Sequence, residues 1–135
     1  MNKIEWKSTY ELGIQLIDDQ HKKLIDIIND VYEAQKAGTS KEMIHKALAD
    51  LLEYTKYHFD AEEDLLKQHH YHEVDEHIKE HDEFVRKIKS FLNDSKSGNL
   101  VLSLKTIDYL KDWTINHILG TDKEYGEFIL LKELG

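Results

Sequence analysis

Hydrophobic positions in this chain step by three and four over most of its length, which is the spacing of helices that bury one face. His21, Leu24, Ile28 and Val31 form one such stripe, predicting a helix over 19–37 with Asp18 or Asp19 as its cap and Gly38 as its stop. Thr39 and Glu42 read as a capping box for a second helix, 40–66, whose inward face is Ile44, Leu48, Leu51, Thr55, His58, Glu62 and Leu65. A turn over 67–72 leads to a third helix, 73–93, with Val74, His77, His81, Phe84, Ile88 and Phe91 on one side. The polar run from Asn93 to Asn99 is a second turn. A fourth helix, 100–119, turns Leu100, Leu104, Ile107, Leu110, Thr114 and His117 inward. Gly120 is expected to break it, and Thr121 with Glu124 to cap a short tail helix carrying Tyr125, Phe128 and Leu131. Residues 1–17 have no period. Their scattered apolar side chains predict an ordered arm that crosses the bundle and buries Trp6. The expected fold is all-α: an up-down-up-down antiparallel four-helix bundle with an N-terminal arm and a short C-terminal helix, in one domain spanning 1–135.

The inward stripes are interrupted by polar residues, and the topology gathers these. His21 lies near the start of the first helix, His58 and Glu62 near the end of the second, His77 and His81 near the start of the third, and His117 near the end of the fourth. Antiparallel packing puts all six in one layer at one end of the bundle. Asp122 follows His117 by five residues, about 140° round an ideal helix. It can join the layer only if the backbone leaves helical geometry, a freedom that Gly120 would supply. A single inward histidine is more often a hydrogen-bonded core residue than a ligand. Five with a glutamate in one apolar layer would leave several buried polar groups unpaired, at about 1–3 kcal/mol each. A metal satisfies them together.

Composition narrows the chemistry. The 135 residues contain no cysteine, which excludes a disulfide framework, zinc–thiolate and iron–sulfur sites. A net charge of −9 without a basic patch argues against nucleic acid and anionic membranes. No apolar run is long enough for a membrane span, and the first residues lack a signal-peptide pattern, so a cytoplasmic protein is expected. Five imidazoles and two carboxylates are too many for one tetrahedral zinc. Two metals bridged by both carboxylates and an oxygen would split the histidines three and two, leaving one position open. Such a nitrogen-rich pair suits iron above manganese. The ferritin-like carboxylate class needs paired Glu-x-x-His motifs. The single one here, Glu42 with His45, is far from the layer.

These residues resemble the hemerythrins, in particular the single-domain bacterial members. The match runs through Trp6, Leu12-Gly13-Ile14, Asp18-Asp19-Gln20-His21, His58-Phe59, Glu62-Glu63, His77 and His81, Trp113, Asn116-His117-Ile118, Asp122 and Tyr125. The resemblance implies two iron ions with a bridging oxo or hydroxo group. His77, His81 and His117 would bind the six-coordinate iron, His21 and His58 the five-coordinate one, and Glu62 and Asp122 would bridge them. Dioxygen would bind reversibly as hydroperoxide at the open position, behind an apolar wall of Phe59, Trp113 and Ile118, for storage, delivery or scavenging.

Three positions depart from the family pattern. Thr114 stands where leucine is common, either bonded back to its own helix or offering a hydroxyl to the dioxygen pocket. His72 stands in place of a proline, next to His69 and His70, and Leu66 in place of a methionine. Glu63 is expected to point outward into solvent. An oxygen or redox sensor, and an enzyme acting on peroxide or nitric oxide, are the competing readings; the expected activity is binding without catalysis. A monomer is expected, and no protein partner is legible.

Overall fold

The computed structural model of the chain describes residues 3–37, 41–96 and 104–134. Four long helices and a tail helix account for most of them: α1 Gln15–Lys36, α2 Lys41–Gln68, α3 Val74–Lys96, α4 Leu104–His117 and α5 Lys123–Leu134. The all-helical bundle expected from the period is what forms. α1 packs on α2 and α4, and α2 packs on α3. α3 and α4 meet where Phe84 stacks on Trp113, centroids 4.0 Å apart. The shared interior contains Leu24, Ile28, Leu48, Leu51, Phe84, Ile88, Ile107 and Leu110, all buried. Among the described residues no helix is long and apolar enough to cross a membrane.

The helix ends differ from expectation in instructive ways. α1 begins at Gln15, four residues earlier than the stripe suggests. Asp18 is therefore not its cap. It lies in the first turn, where its carboxylate suits the helix dipole, and accepts the N–H groups of Leu12 and Gly13 at 2.8 and 3.1 Å. That tie folds the arm back, with Gly13 at φ +89° making the turn. The arm is ordered, but Ile4, Tyr10 and Leu12 are its buried members, and Trp6 is only half-buried. Ile4 and Asn29 exchange two hydrogen bonds of 2.9 Å, fastening the arm to α1.

α2 ends without a glycine. His70 takes φ +53°, and its N–H bonds to the Lys67 carbonyl while that of Tyr71 bonds to Leu66. This is a Schellman turn with histidine where glycine is usual, accompanied by burial of both Tyr71 and Leu66. The capping box at Thr39 and the stop at Gly38 lie outside the described residues, as does Leu100; of the expected polar turn, residues 93–96 continue α3 and the rest lie outside the described residues.

The expected break at Gly120 is absent. α4 continues through one π-helical turn, Ile118–Asp122, directly into α5. Gly120 has no positive φ, and a Cβ there would meet nothing within 4 Å. Thr121 caps nothing: its hydroxyl donates to Glu80 across the bundle at 2.7 Å. On α5, Tyr125 and Ile129 are buried and Leu131 is exposed.

Candidate metal centre

Each of the four long helices presents imidazole to the same layer, and the π-helical turn adds a carboxylate. A π turn closes bonds between residues five apart, so it lines up positions that an α-helix would separate by about 140°. Asp122 thereby comes to the same face as His117, and its Oδ1 lies 3.0 Å from His117 Nε2. The wider turn supplies the reorientation expected of Gly120. His21, His58, Glu62, His77, His81, His117 and Asp122 are all buried, none more than 6 % exposed.

The two carboxylates divide their oxygens between two sets of histidines. Glu62 Oε1 faces the Nε2 atoms of His77, His81 and His117 at 2.6, 2.9 and 3.7 Å. Its other oxygen, Oε2, faces those of His58 and His21 at 3.1 and 3.5 Å. Asp122 repeats the division, with Oδ1 toward His77 and His117 and Oδ2 toward His21, each at 3.0 Å. The donor atoms therefore form two groups that share Glu62, three histidines on one side and two on the other.

Outside the ligand atoms, three histidines are held by acceptors from the preceding helix. Gln20 Oε1 on α1 takes the Nδ1 proton of His58 at 2.7 Å. Glu63 on α2 takes that of His81 at 2.8 Å. Glu80 on α3 takes that of His117 at 2.9 Å. Each bond fixes the tautomer, sending the Nε2 lone pair inward. Glu63 is thus not the solvated residue expected from its neighbour; its side chain is 18 % exposed. Tyr125 completes the shell by donating to Glu62 Oε2 at 3.0 Å. These four residues carried no assigned role at the level of sequence. Gln20 adjoins His21, Glu63 adjoins Glu62 and Glu80 adjoins His81, and that adjacency is the signal that could have found the three acceptors.

With those tautomers fixed, the layer is short of positive charge. With both Nδ1 protons committed, the Nε2 atoms of His81 and His117 meet at 3.1 Å, a contact that needs a further proton or a cation between them. Both oxygens of Asp122 and both nitrogens of His21 lack an aligned hydrogen bond, although the atoms approach to 3.0 Å. Proton affinities agree. Burial alone would push His21 and His77 down, but Asp122 and Glu62 outweigh it and raise both to about 9. His117 is likewise raised well above its ordinary value, against the same burial, by Asp122, Glu62 and Glu80. Glu62 and Asp122 are held well below the usual carboxylate range by the surrounding imidazoles, despite burial and, for Asp122, the nearby charge of Glu62. Only for His58 does burial win over Glu62, lowering it. The donor set fits cations.

Two of the four residues expected to wall a pocket stack against the layer. Phe59 stacks on His81, centroids 3.7 Å apart and planes 3° from parallel. Trp113 stacks on His117 at 4.5 Å. Both rings therefore cover the three-histidine side. Ile118 and Thr114 are buried, and the Thr114 hydroxyl donates to the Leu110 carbonyl at 2.8 Å, so it is tied to its own helix. His69, His70 and His72 take part in no cluster of metal-ligand geometry among the described residues.

The family model of the hemerythrin HHE cation binding domain matches residues 12–129. The chain belongs to the hemerythrin family. A bacteriohemerythrin of Clostridium acetobutylicum is 35 % identical over 124 residues, covering 89 % of this chain and 96 % of that protein. A myohemerythrin of Theromyzon tessulatum is 30 % identical over 121 residues, with 90 % and 89 % covered. The crystal structure of a wild-type hemerythrin superposes with a TM-score of 0.87 at 28 % identity, over 93 % of this chain and 97 % of that one.

Proposed function

We propose that the chain holds two iron ions in the histidine layer and binds dioxygen reversibly there, for storage, delivery or scavenging, as one metal-binding domain. The carrying observation is the divided carboxylates: Glu62 and Asp122 each turn one oxygen to His77 and His117 and the other to His21. In this reading His77, His81 and His117 would hold one ion, His21 and His58 the other, and Glu62 and Asp122 would offer an oxygen to each. Charge supports a pair. Glu62, Asp122, Glu63 and Glu80 place four negative charges in and beside the layer, which two divalent ions would balance.

A ferrous pair bound there would supply the electrons that dioxygen accepts on binding and returns on release. The chain's own residues would make that cycle reversible. Gln20, Glu63 and Glu80 hold three rings in the metal-binding tautomer. Tyr125 keeps its proton and donates it to Glu62 Oε2, because burial beside Glu62 and Asp122 raises its phenol well above the ordinary range. Phe59 and Trp113, stacked over His81 and His117, and the buried Ile118, with Thr114 sealed to Leu110, would help to exclude water from the layer and protect the ferrous state. With the inward acid–base groups engaged as ligands or as their partners, binding is favoured over turnover.

Iron content and the visible spectrum test this reading. Two irons per chain, with a coloured band that appears under dioxygen and fades when it is removed, is the expected result. A chain that takes up no iron pair, or an iron pair indifferent to dioxygen, overturns it.

A further inference from the structure

Two threonines lie on inward faces one turn from the histidine layer. Thr114 precedes His117 by three residues on α4, and Thr55 precedes His58 by three on α2. Both are buried, at 1 % and 0 % exposure. They differ in one respect. Thr114 gives its hydroxyl proton to the Leu110 carbonyl oxygen, the ordinary resolution for a helical threonine. Thr55 Oγ1 has no hydrogen-bond partner, neither the Leu51 carbonyl one turn back nor any side chain.

A buried hydroxyl without a partner is costly, and valine would fill the same space without that cost. Placement suggests what the hydroxyl serves. Thr55 is on the helix that carries His58, beside the helix that carries His21. It shares the inward face of α2 with His58, one turn away, and His58 belongs to the two-histidine half of the centre, the half with fewer protein donors. The three-histidine half is covered by the stacked rings of Phe59 and Trp113. Thr55 is the one side-chain donor among the described residues that is buried in this part of the core, unpartnered, and not itself a candidate ligand.

We propose that Thr55 is the polar contact for a small ligand bound in the His21/His58 half of the centre, donating its hydroxyl proton to a diatomic molecule or small linear anion and raising its affinity. The inference rests on the metal-pair reading above. It makes Thr55 a specificity residue: ligands with an acceptor atom gain from the hydroxyl, and ligands without one do not.

Azide is the probe, titrated spectroscopically into the iron-loaded ferric protein, for Thr55, Thr55→Val and Thr55→Ser. Unfolding of each metal-free chain is measured alongside. Thr55→Val is expected to weaken azide binding about fivefold, the worth of one hydrogen bond. Thr55→Ser should stay within about twofold of the parent on the same grounds. Metal-free Thr55→Val should unfold no more easily than the parent, since it loses an unpaired donor. Azide affinity that is unchanged or tighter in an iron-loaded Thr55→Val overturns the proposal alone. A parent chain that loads no iron pair overturns it together with the metal-pair reading.

Discussion

His117 donates its Nδ1 proton to Glu80 at 2.9 Å, from a buried ring to a carboxylate whose side chain is 44 % exposed. Glu80 also accepts from Thr121 at 2.7 Å. It therefore holds a candidate ligand and the π-helical turn that positions Asp122. Imidazole partners of this kind tune both ring orientation and basicity. Glu80→Gln retains an acceptor but loses the charge, so metal affinity should fall about tenfold, and Glu80→Ala should approach roughly 100-fold. Competition against a chelator of known affinity measures both. An unchanged affinity in Glu80→Ala would show that His117 is oriented by its stacking on Trp113 alone.

Stability of the metal-free chain should depend on pH in both directions. His21 and His77 rise from 6.5 to about 9, and His117 also rises. A raised base contributes stability that is complete below its unfolded value near 6.5 and is lost as pH climbs through the folded value. Glu62 and Asp122 are lowered, so their contribution is complete above the ordinary carboxylate values of 4.5 and 3.8 and is lost below them. His58, lowered by burial, adds to the acid side, beginning below 6.5. The urea midpoint of chelator-treated protein should peak between about pH 5 and 6.5 and decline toward pH 9. A midpoint that rises from about pH 7 to 9 would contradict the assignment.

Backbone substitutions separate the two routes by which Asp122 could reach the centre. Because Gly120 has an ordinary φ and open space around it, Gly120→Ala should leave metal uptake unchanged and stabilise the chain by about 0.5 kcal/mol. Gly13 is the contrasting case. At φ +89°, with Leu130 Cδ1 3.2 Å from where a Cβ would stand, Gly13→Ala should cost about 1–2 kcal/mol. Thermal unfolding and metal content of the two variants decide it; loss of metal in Gly120→Ala would restore the glycine to a functional role.

Tyr125 donates to Glu62 Oε2 at 3.0 Å from inside the bundle. A hydrogen bond to a buried carboxylate contributes about 1.5–3 kcal/mol. Tyr125→Phe should lower the unfolding free energy of the metal-free chain by that order, as read from denaturant titration. The loss should shrink when metal is bound, because a cation then neutralises Glu62.

Six of the seven candidate ligands were legible because they fall on the three–four step that defines each inward face. His21, His58, Glu62, His77, His81 and His117 share their stripes with Leu24, Leu51, Phe84 and Leu110, so burial and convergence followed from topology. Asp122 lies off that step, and only a local change of helix type brings it back. Its membership was readable, but the π turn was not. Glu63 and Glu80 sit on helix shoulders, where sequence period cannot distinguish solvent from the flank of a neighbouring helix. Which shoulder is covered depends on how helices cross, a tertiary property. The arm shows the same limit: without a period, nothing ranked Ile4 above Trp6 for burial.

The centre also divides along the chain. His21, His58 and Glu62 precede the turn at 69–73, while His77, His81, His117 and Asp122 follow it. The bonds from Glu63 to His81 and from Tyr125 to Glu62 cross the same divide. Neither half carries both candidate ligand groups, so bound metal would act as a rivet between two pieces of polypeptide. A chain cut at that turn would become a two-part protein whose association constant is governed by free metal, reversible by chelation, with the colour of the assembled centre reporting the join.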